Sequence, residues 1–138
     1  MGLHEELCGI LGSENVLKDE LMKKHTTFRV GGPADWLVTP TEEEQIREVV
    51  NLLRTENVPY YVMGNGSNLL VGDKGYRGVI IQLGKNLSQI RMTEEGVLYA
   101  QAGALLSKIA AEALAQSLTG FEFASGIPGT LGGAVMMN

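Results

Sequence analysis

Apolar and polar positions along the 138 residues follow two periods, one helical and one alternating. Ile46, Val49, Val50 and Leu53 recur at i, i+3, i+4 and i+7, which predicts an amphipathic helix with one buried face. Thr41 with Glu44 three residues on reads as its capping box. Glu42, Glu43 and Glu44 place negative charge at the positive end of that helix. Asn57-Val58-Pro59 ends it. Leu105, Leu106, Ile109, Ala110, Ala113 and Leu114 mark a second amphipathic helix. Leu7, Ile10 and Leu11 predict a short helix at the start, with Gly12 as its stop. Val16, Leu17, Leu21 and Met22 extend this stretch into a lead-in that packs on the remainder. Residues 1–25 are therefore set apart as a helical lead-in, and residues 26–138 as the main domain.

Alternation and β-branched runs predict strands at 34–39, entered through the Gly31-Gly32-Pro33 turn, and at 60–63. Further strands are expected at 69–71 and 79–83, separated by a turn around Gly72, Asp73 and Gly75. Residues 35–63 thus form a strand–helix–strand unit, for which a parallel, right-handed crossover is favoured. Residues 87–93 and 97–102 alternate around Glu94-Glu95-Gly96, the pattern of an antiparallel hairpin. One βαβ unit followed by antiparallel strands and a helix is an α+β arrangement rather than a doubly wound sheet. There is no internal repeat.

Composition narrows the class. Hydrophobic residues at 44% and charged residues at 20% match an ordinary folded domain. The 18 glycines stand near twice the usual share of about 7%. That many implies several places where main chain turns tightly or approaches something closely. A net charge of −5 without a basic patch argues against a nucleic-acid partner or an electrostatic membrane footprint. The single cysteine, Cys8, has no internal disulfide partner, which fits a reducing cytoplasm. No stretch approaches the ~18–20 apolar residues of a membrane span. The chain stops within Ala134-Val135-Met136-Met137-Asn138, with no polar tail, so a fragment of a longer protein, or self-association through uncovered edges, is expected.

Three segments could carry chemistry. Gly64-Asn65-Gly66-Ser67-Asn68 follows a strand directly. Its glycines let main-chain N–H groups turn toward an anion, and its short polar side chains add donors, which suits a pyrophosphate. It is not the Rossmann fingerprint, because Leu69 stands where the last glycine belongs. A polar turn between strands satisfies the same pattern. In Gly126-Ile127-Pro128-Gly129-Thr130-Leu131-Gly132-Gly133, bare main chain leaves room for a flat ring or a phosphate, and a helix starting here offers its first N–H groups. A turn needed for packing alone also fits. Arg29, within Thr26-Thr27-Phe28-Arg29-Val30-Gly31-Gly32-Pro33, reads as a partner for phosphate or a carboxylate, or as a solvated charge. No P-loop, G-x-S-x-G elbow or zinc-ligand set is present; two histidines and one cysteine do not close a zinc site. His25 reads as a surface or capped histidine. Glu122, between Phe121 and Phe123, reads as a buried acid or as an outward strand position.

Together, residues 26–35 (TTFRVGGPAD), 64–70 (GNGSNLL) and 123–138 (FASGIPGTLGGAVMMN) closely resemble the amino-terminal half of the UDP-N-acetylenolpyruvoylglucosamine reductase family, from about residue 20 to the end. The resemblance implies an FAD-binding domain of the p-cresol methylhydroxylase and vanillyl-alcohol oxidase type, with two small α+β subdomains gripping FAD. It implies that Gly64, Asn65, Gly66, Ser67 and Asn68 wrap the pyrophosphate, with the flanking Met63 and Leu69 also at the cofactor. It implies equally that Gly126, Ile127, Pro128, Gly129, Thr130, Gly132 and Gly133 lie along the flavin, with the preceding Ser125 also at the cofactor. The family reaction passes hydride from NADPH to FAD and then to a nucleotide-sugar substrate in peptidoglycan synthesis. The family's catalytic arginine, serine and glutamate lie in later segments, so Arg29, Arg77 and Ser125 do not fill those roles. The chain is expected to hold part of a cofactor site and not to turn over alone. Another FAD oxidoreductase of the same superfamily, or a non-catalytic nucleotide-binding module, are the competing readings.

Overall fold

Two central strands, β2 (Pro33–Val38) and β4 (Tyr76–Gln82), are buried on both faces and organise the first half of a computed structural model that describes residues 1–137. Neighbouring residues in a strand point to opposite faces. Val38 and Ile81 accordingly enter one cluster, with Leu7, Leu11, Val49 and Leu53. Leu37 and Ile80 enter the other, with Met22, Ala34 and Met63. Helices α1 (Leu3–Leu11) and α2 (Glu43–Thr55) supply the first cluster. Helix α1 ends at Gly12, where φ reaches 84° and the N–H returns to the carbonyl of Cys8.

The sheet order is β1-β2-β4-β3, with β1 spanning Val16–Leu21 and β3 Tyr60–Met63. Both β2 and β3 run parallel to β4, which lies between them, so the expected strand–helix–strand unit is parallel but its strands do not touch. The lead-in is not wholly helical: β1 pairs antiparallel with β2, Val16 opposite Val38 and Leu21 opposite Pro33. As an edge strand with only Val16 buried, β1 lacks the alternation that betrays a strand in sequence.

Two further expectations fail on geometry. Residues 69–71 join no sheet; Leu69 and Val71 pack onto the second cluster while Leu70 points outward, so their alternation reflects packing without pairing. The capping box of Thr41 and Glu44 does not form. Helix α2 begins one residue later, and Gln45 accepts from both the N–H and the hydroxyl of Thr41 instead.

A second unit follows. Strands β5 (Ile90–Glu94) and β6 (Val97–Ala100) make the expected hairpin, with Gly96 at φ 80° in its turn. Helix α3 (Leu106–Ala115) buries Leu106, Ile109 and Ala113; Leu114 was expected on that face but is 78% exposed. A 3-10 turn (Glu122–Gly126) and α4 (Leu131–Met137) complete the described chain. Glu122 therefore sits on a turn, exposed, and accepts the N–H of Gly120.

Candidate functional site

Loop 64–68 leaves the end of β3 and is held from two sides. The side chain of Gln82, at the end of β4, donates to the carbonyl of Gly64 at 3.2 Å. The N–H of Thr27 donates to the carbonyl of Gly66 at 3.0 Å. Gly66 has φ 73°, and a Cβ there would overlap the carbonyl oxygen of His25 and reach within 3.0 Å of the Thr26 Cα. The carbonyls of Gly64 and Gly66 are thus engaged, whereas the N–H groups of Asn65, Gly66, Ser67 and Asn68 have no hydrogen-bond partner among the described residues. Consecutive free N–H groups around a left-handed residue form an anion-binding concavity. Met63 and Leu69, at the ends of the segment, send their side chains into the core and leave only main chain to the loop.

Segment 125–133 belongs to the second unit. Thr130 bridges Leu105; the N–H of Leu106 donates to the carbonyl of Gly129 at 3.1 Å, and that of Leu131 to Ala104 at 2.8 Å. The expected free helix start is absent. The N–H groups of Leu131, Gly132 and Gly133 are taken by Ala104, Ala102 and the Thr130 hydroxyl. Gly132 is bare because Ala102 packs against it, its ideal Cβ falling 2.9 Å from the Ala102 Cβ. Gly126 faces open space, and Ile127 and Pro128 are solvent-exposed. The Ser125 hydroxyl donates to the carbonyl of Glu122.

The two segments meet. A Cβ on Gly64 would overlap Oγ1 of Thr130 and lie 3.3 Å from its Cβ and Cγ2. A Cβ on Gly129 would sit 3.1 Å from Oγ of Ser67. Stretches more than sixty residues apart in sequence therefore come into direct contact. No acidic side chain belongs to either loop, so the donor set suits an anion.

The other candidates lie away from this contact or are otherwise engaged. Arg29 is exposed, at φ 54°, and forms no ion pair among the described residues. Arg77 pairs with Asp35 at 3.2 Å and donates to the carbonyl of Pro33. His25 pairs with Glu20 at 2.9 Å. No cluster of His, Cys, Asp and Glu able to hold a metal occurs among the described residues. A cavity of about 540 Å³ opens between the hairpin and α3 and is lined largely by apolar residues such as Leu98, Ile109, Leu118 and Phe121. Sequence reasoning missed the supporting parts: Gln82, the main chain of His25 and Thr27, and the carbonyls of Ala102 and Ala104. Only Gln82, a polar residue closing an apolar strand, left a signal in the sequence.

Residues 34–138 match a family described as FAD binding domain. The chain belongs to that family. The resemblance expected from the motifs is borne out by relatives named UDP-N-acetylenolpyruvoylglucosamine reductase. The protein of Clostridioides difficile (strain 630) is 51% identical over 136 residues, covering 99% of this chain and 44% of its own length. That of Clostridium botulinum (strain Hall / ATCC 3502 / NCTC 13319 / Type A) is 56% identical over 129 residues, 94% of this chain and 42% of its own. The chain thus spans less than half the length of the curated relatives it matches. Among solved structures, UDP-N-acetylenolpyruvylglucosamine reductase (MurB) from Thermus caldophilus aligns with a TM-score of 0.65 and 39% identity, over 84% of this chain and 40% of that one. p-Cresol methylhydroxylase with substrate bound aligns with a TM-score of 0.64 at 21% identity, over 83% of this chain and 24% of that one; this likeness speaks for the fold alone. The expected α+β, p-cresol methylhydroxylase-type FAD fold is borne out. Among the described residues, no helix is long and apolar enough to cross a membrane.

Proposed function

We propose that this chain is the FAD-holding part of an NADPH-dependent reductase that converts UDP-N-acetylenolpyruvoylglucosamine to UDP-N-acetylmuramate for peptidoglycan. The observation that carries the reading is the meeting of Gly64 and Ser67 with Thr130 and Gly129, in a chain 51–56% identical to reductases of that name. The free N–H groups of Asn65, Gly66, Ser67 and Asn68 receive pyrophosphate oxygens, and the Asn65, Ser67 and Asn68 side chains add donors. Ser125, Gly126, Ile127, Pro128 and Gly129 flank the flavin, Gly126 giving open main chain, with buried Thr130 behind them. Gly132 and Gly133 keep that segment close to the second unit. When bound, FAD supplies two-electron hydride acceptance and donation. The residues of this chain bind and orient it, and none is assigned a proton-transfer role.

The remaining parts follow from the same reading. The substrate is a small nucleotide sugar, nucleic acid and membrane are not partners, and the working compartment is the cytoplasm. Turnover is not a property of this chain by itself. Phe123, Leu114, Val135 and Met136 are 70–84% exposed, which supports self-association. Sedimentation over a concentration series checks this, and a constant monomer mass removes it.

The deciding experiment is purification of the chain under native conditions, followed by absorbance and chromatography of the released cofactor. Yellow protein that releases FAD rather than FMN is the expected result. A folded, colourless protein that takes up no FAD on titration overturns the proposal.

A further inference from the structure

We propose that Gly64 and Thr130 form a fitted joint that sets the separation of the two loops, which makes Thr130 a positioning residue for a ligand that spans them. The inference rests on the FAD reading above.

Each side of the joint is anchored to a different unit. Gly64 is fixed to the four-stranded sheet through Gln82, and its loop is fixed again through Thr27 and Gly66. Thr130 is fixed to the second unit by its bridge to Leu105 and by the flanking bonds of Gly129 and Leu131. Thr130 is 3% exposed, and its Oγ1 accepts the N–H of Gly133 at 3.3 Å, so the hydroxyl is not free to swing away. Against this surface Gly64 presents a bare Cα, with no room for one further carbon. The second contact has the opposite sense: Ser67 on the first loop faces bare Gly129 on the second, where φ is 116°. Each loop thus offers a glycine to a hydroxyl residue of the other, and the Gly64–Thr130 contact has no slack. Close-packed contacts of this kind respond to the addition of a single methyl group.

The consequence concerns ligand length. A dinucleotide with its pyrophosphate on one loop and its ring on the other senses the spacing between them. Riboflavin, which lacks the pyrophosphate, touches the second loop alone and does not. Gly64→Ala is expected to weaken FAD binding by about tenfold or more, with a much smaller effect on riboflavin. Removing the opposing bulk in the double variant Gly64→Ala/Thr130→Ala is expected to restore FAD affinity to within about threefold of the starting chain.

The test titrates FAD and riboflavin against the full chain and these variants by flavin fluorescence, with urea unfolding in parallel. Loss in Gly64→Ala and recovery in the double variant support the joint. Absence of recovery, or an equal fractional loss for FAD and riboflavin, overturns it. If the unsubstituted chain binds no FAD, the functional reading fails, and the joint is judged by unfolding alone: strictly additive effects of the two substitutions overturn it. Should Gly64→Ala not fold, Thr130→Ala decides, because opening the joint lowers affinity for FAD selectively, and an equal change for both ligands sinks the inference.

Discussion

Gly66 carries two constraints at once. Its φ of 73° is strained for any residue with a Cβ, and the Cβ would strike the carbonyl of His25, which is main chain and cannot rotate away. Gly66→Ala is therefore expected to cost about 1–3 kcal/mol, read as a lowered urea midpoint in Trp36 fluorescence. Gly72, six residues on, has an ordinary φ and nothing within 4 Å of its Cβ position. Gly72→Ala should stay within about 0.5 kcal/mol of the parent. Equal effects of the two would mean that loop 64–68 is not seated on residues 25–27. The glycine-rich strings announced where bare main chain is needed. They could not announce what faces it: Gly64 meets Thr130, Gly132 meets Ala102, and Gly126 meets open space. Those neighbours come from other parts of the chain, and local sequence holds no record of them.

Helix α2 was the most legible element, because burial of one face repeats every turn. Val49 and Leu53 have no exposed surface, as their spacing requires. Leu53→Ala should cost about 2–5 kcal/mol through lost burial and the cavity left behind. Leu114→Ala on α3 should change stability by less than about 0.5 kcal/mol, because that side chain is 78% exposed despite its place in the apolar pattern. Urea unfolding of both variants checks the pair, and a large loss for Leu114→Ala would restore the expected face. The hairpin was equally legible, since Gly96 and the alternation on each side act locally. Strand β1 and the unpaired run at 69–71 were not. Whether an extended segment joins a ladder depends on an available edge, and β2 offers one to β1 while Leu69 and Val71 find only apolar contacts.

At the scale of the molecule, the two units touch at few places, so each contact between them carries weight. Besides the Gly64–Thr130 joint, Gly103 lies against the carbonyls of Gly84 and Leu87, and the Tyr99 hydroxyl on β6 donates to Oε1 of Glu43 in the first turn of α2 at 2.7 Å. That hydrogen bond is the main cause that raises the Tyr99 pKa above its ordinary 10.0, followed by burial and by the charge of Glu43. Arg91, whose guanidinium carbon lies 4.6 Å from the ring centroid, pulls the other way and is outweighed. The folded chain therefore holds the phenolic proton more tightly than the unfolded chain does. Stability from this contact is fully present below the ordinary tyrosine value and is lost as pH climbs through the raised one, when a phenolate would face the Glu43 carboxylate. Melting temperatures of the parent and of Tyr99→Phe should diverge at neutral pH and converge as pH climbs past the ordinary tyrosine value through the raised one, the other tyrosines and the lysines affecting both alike. Curves that run parallel through that range would show that Tyr99 does not tie β6 to α2. The loops that meet at Thr130 and the contact of Gly103 with the carbonyls of Gly84 and Leu87 would remain to hold the units.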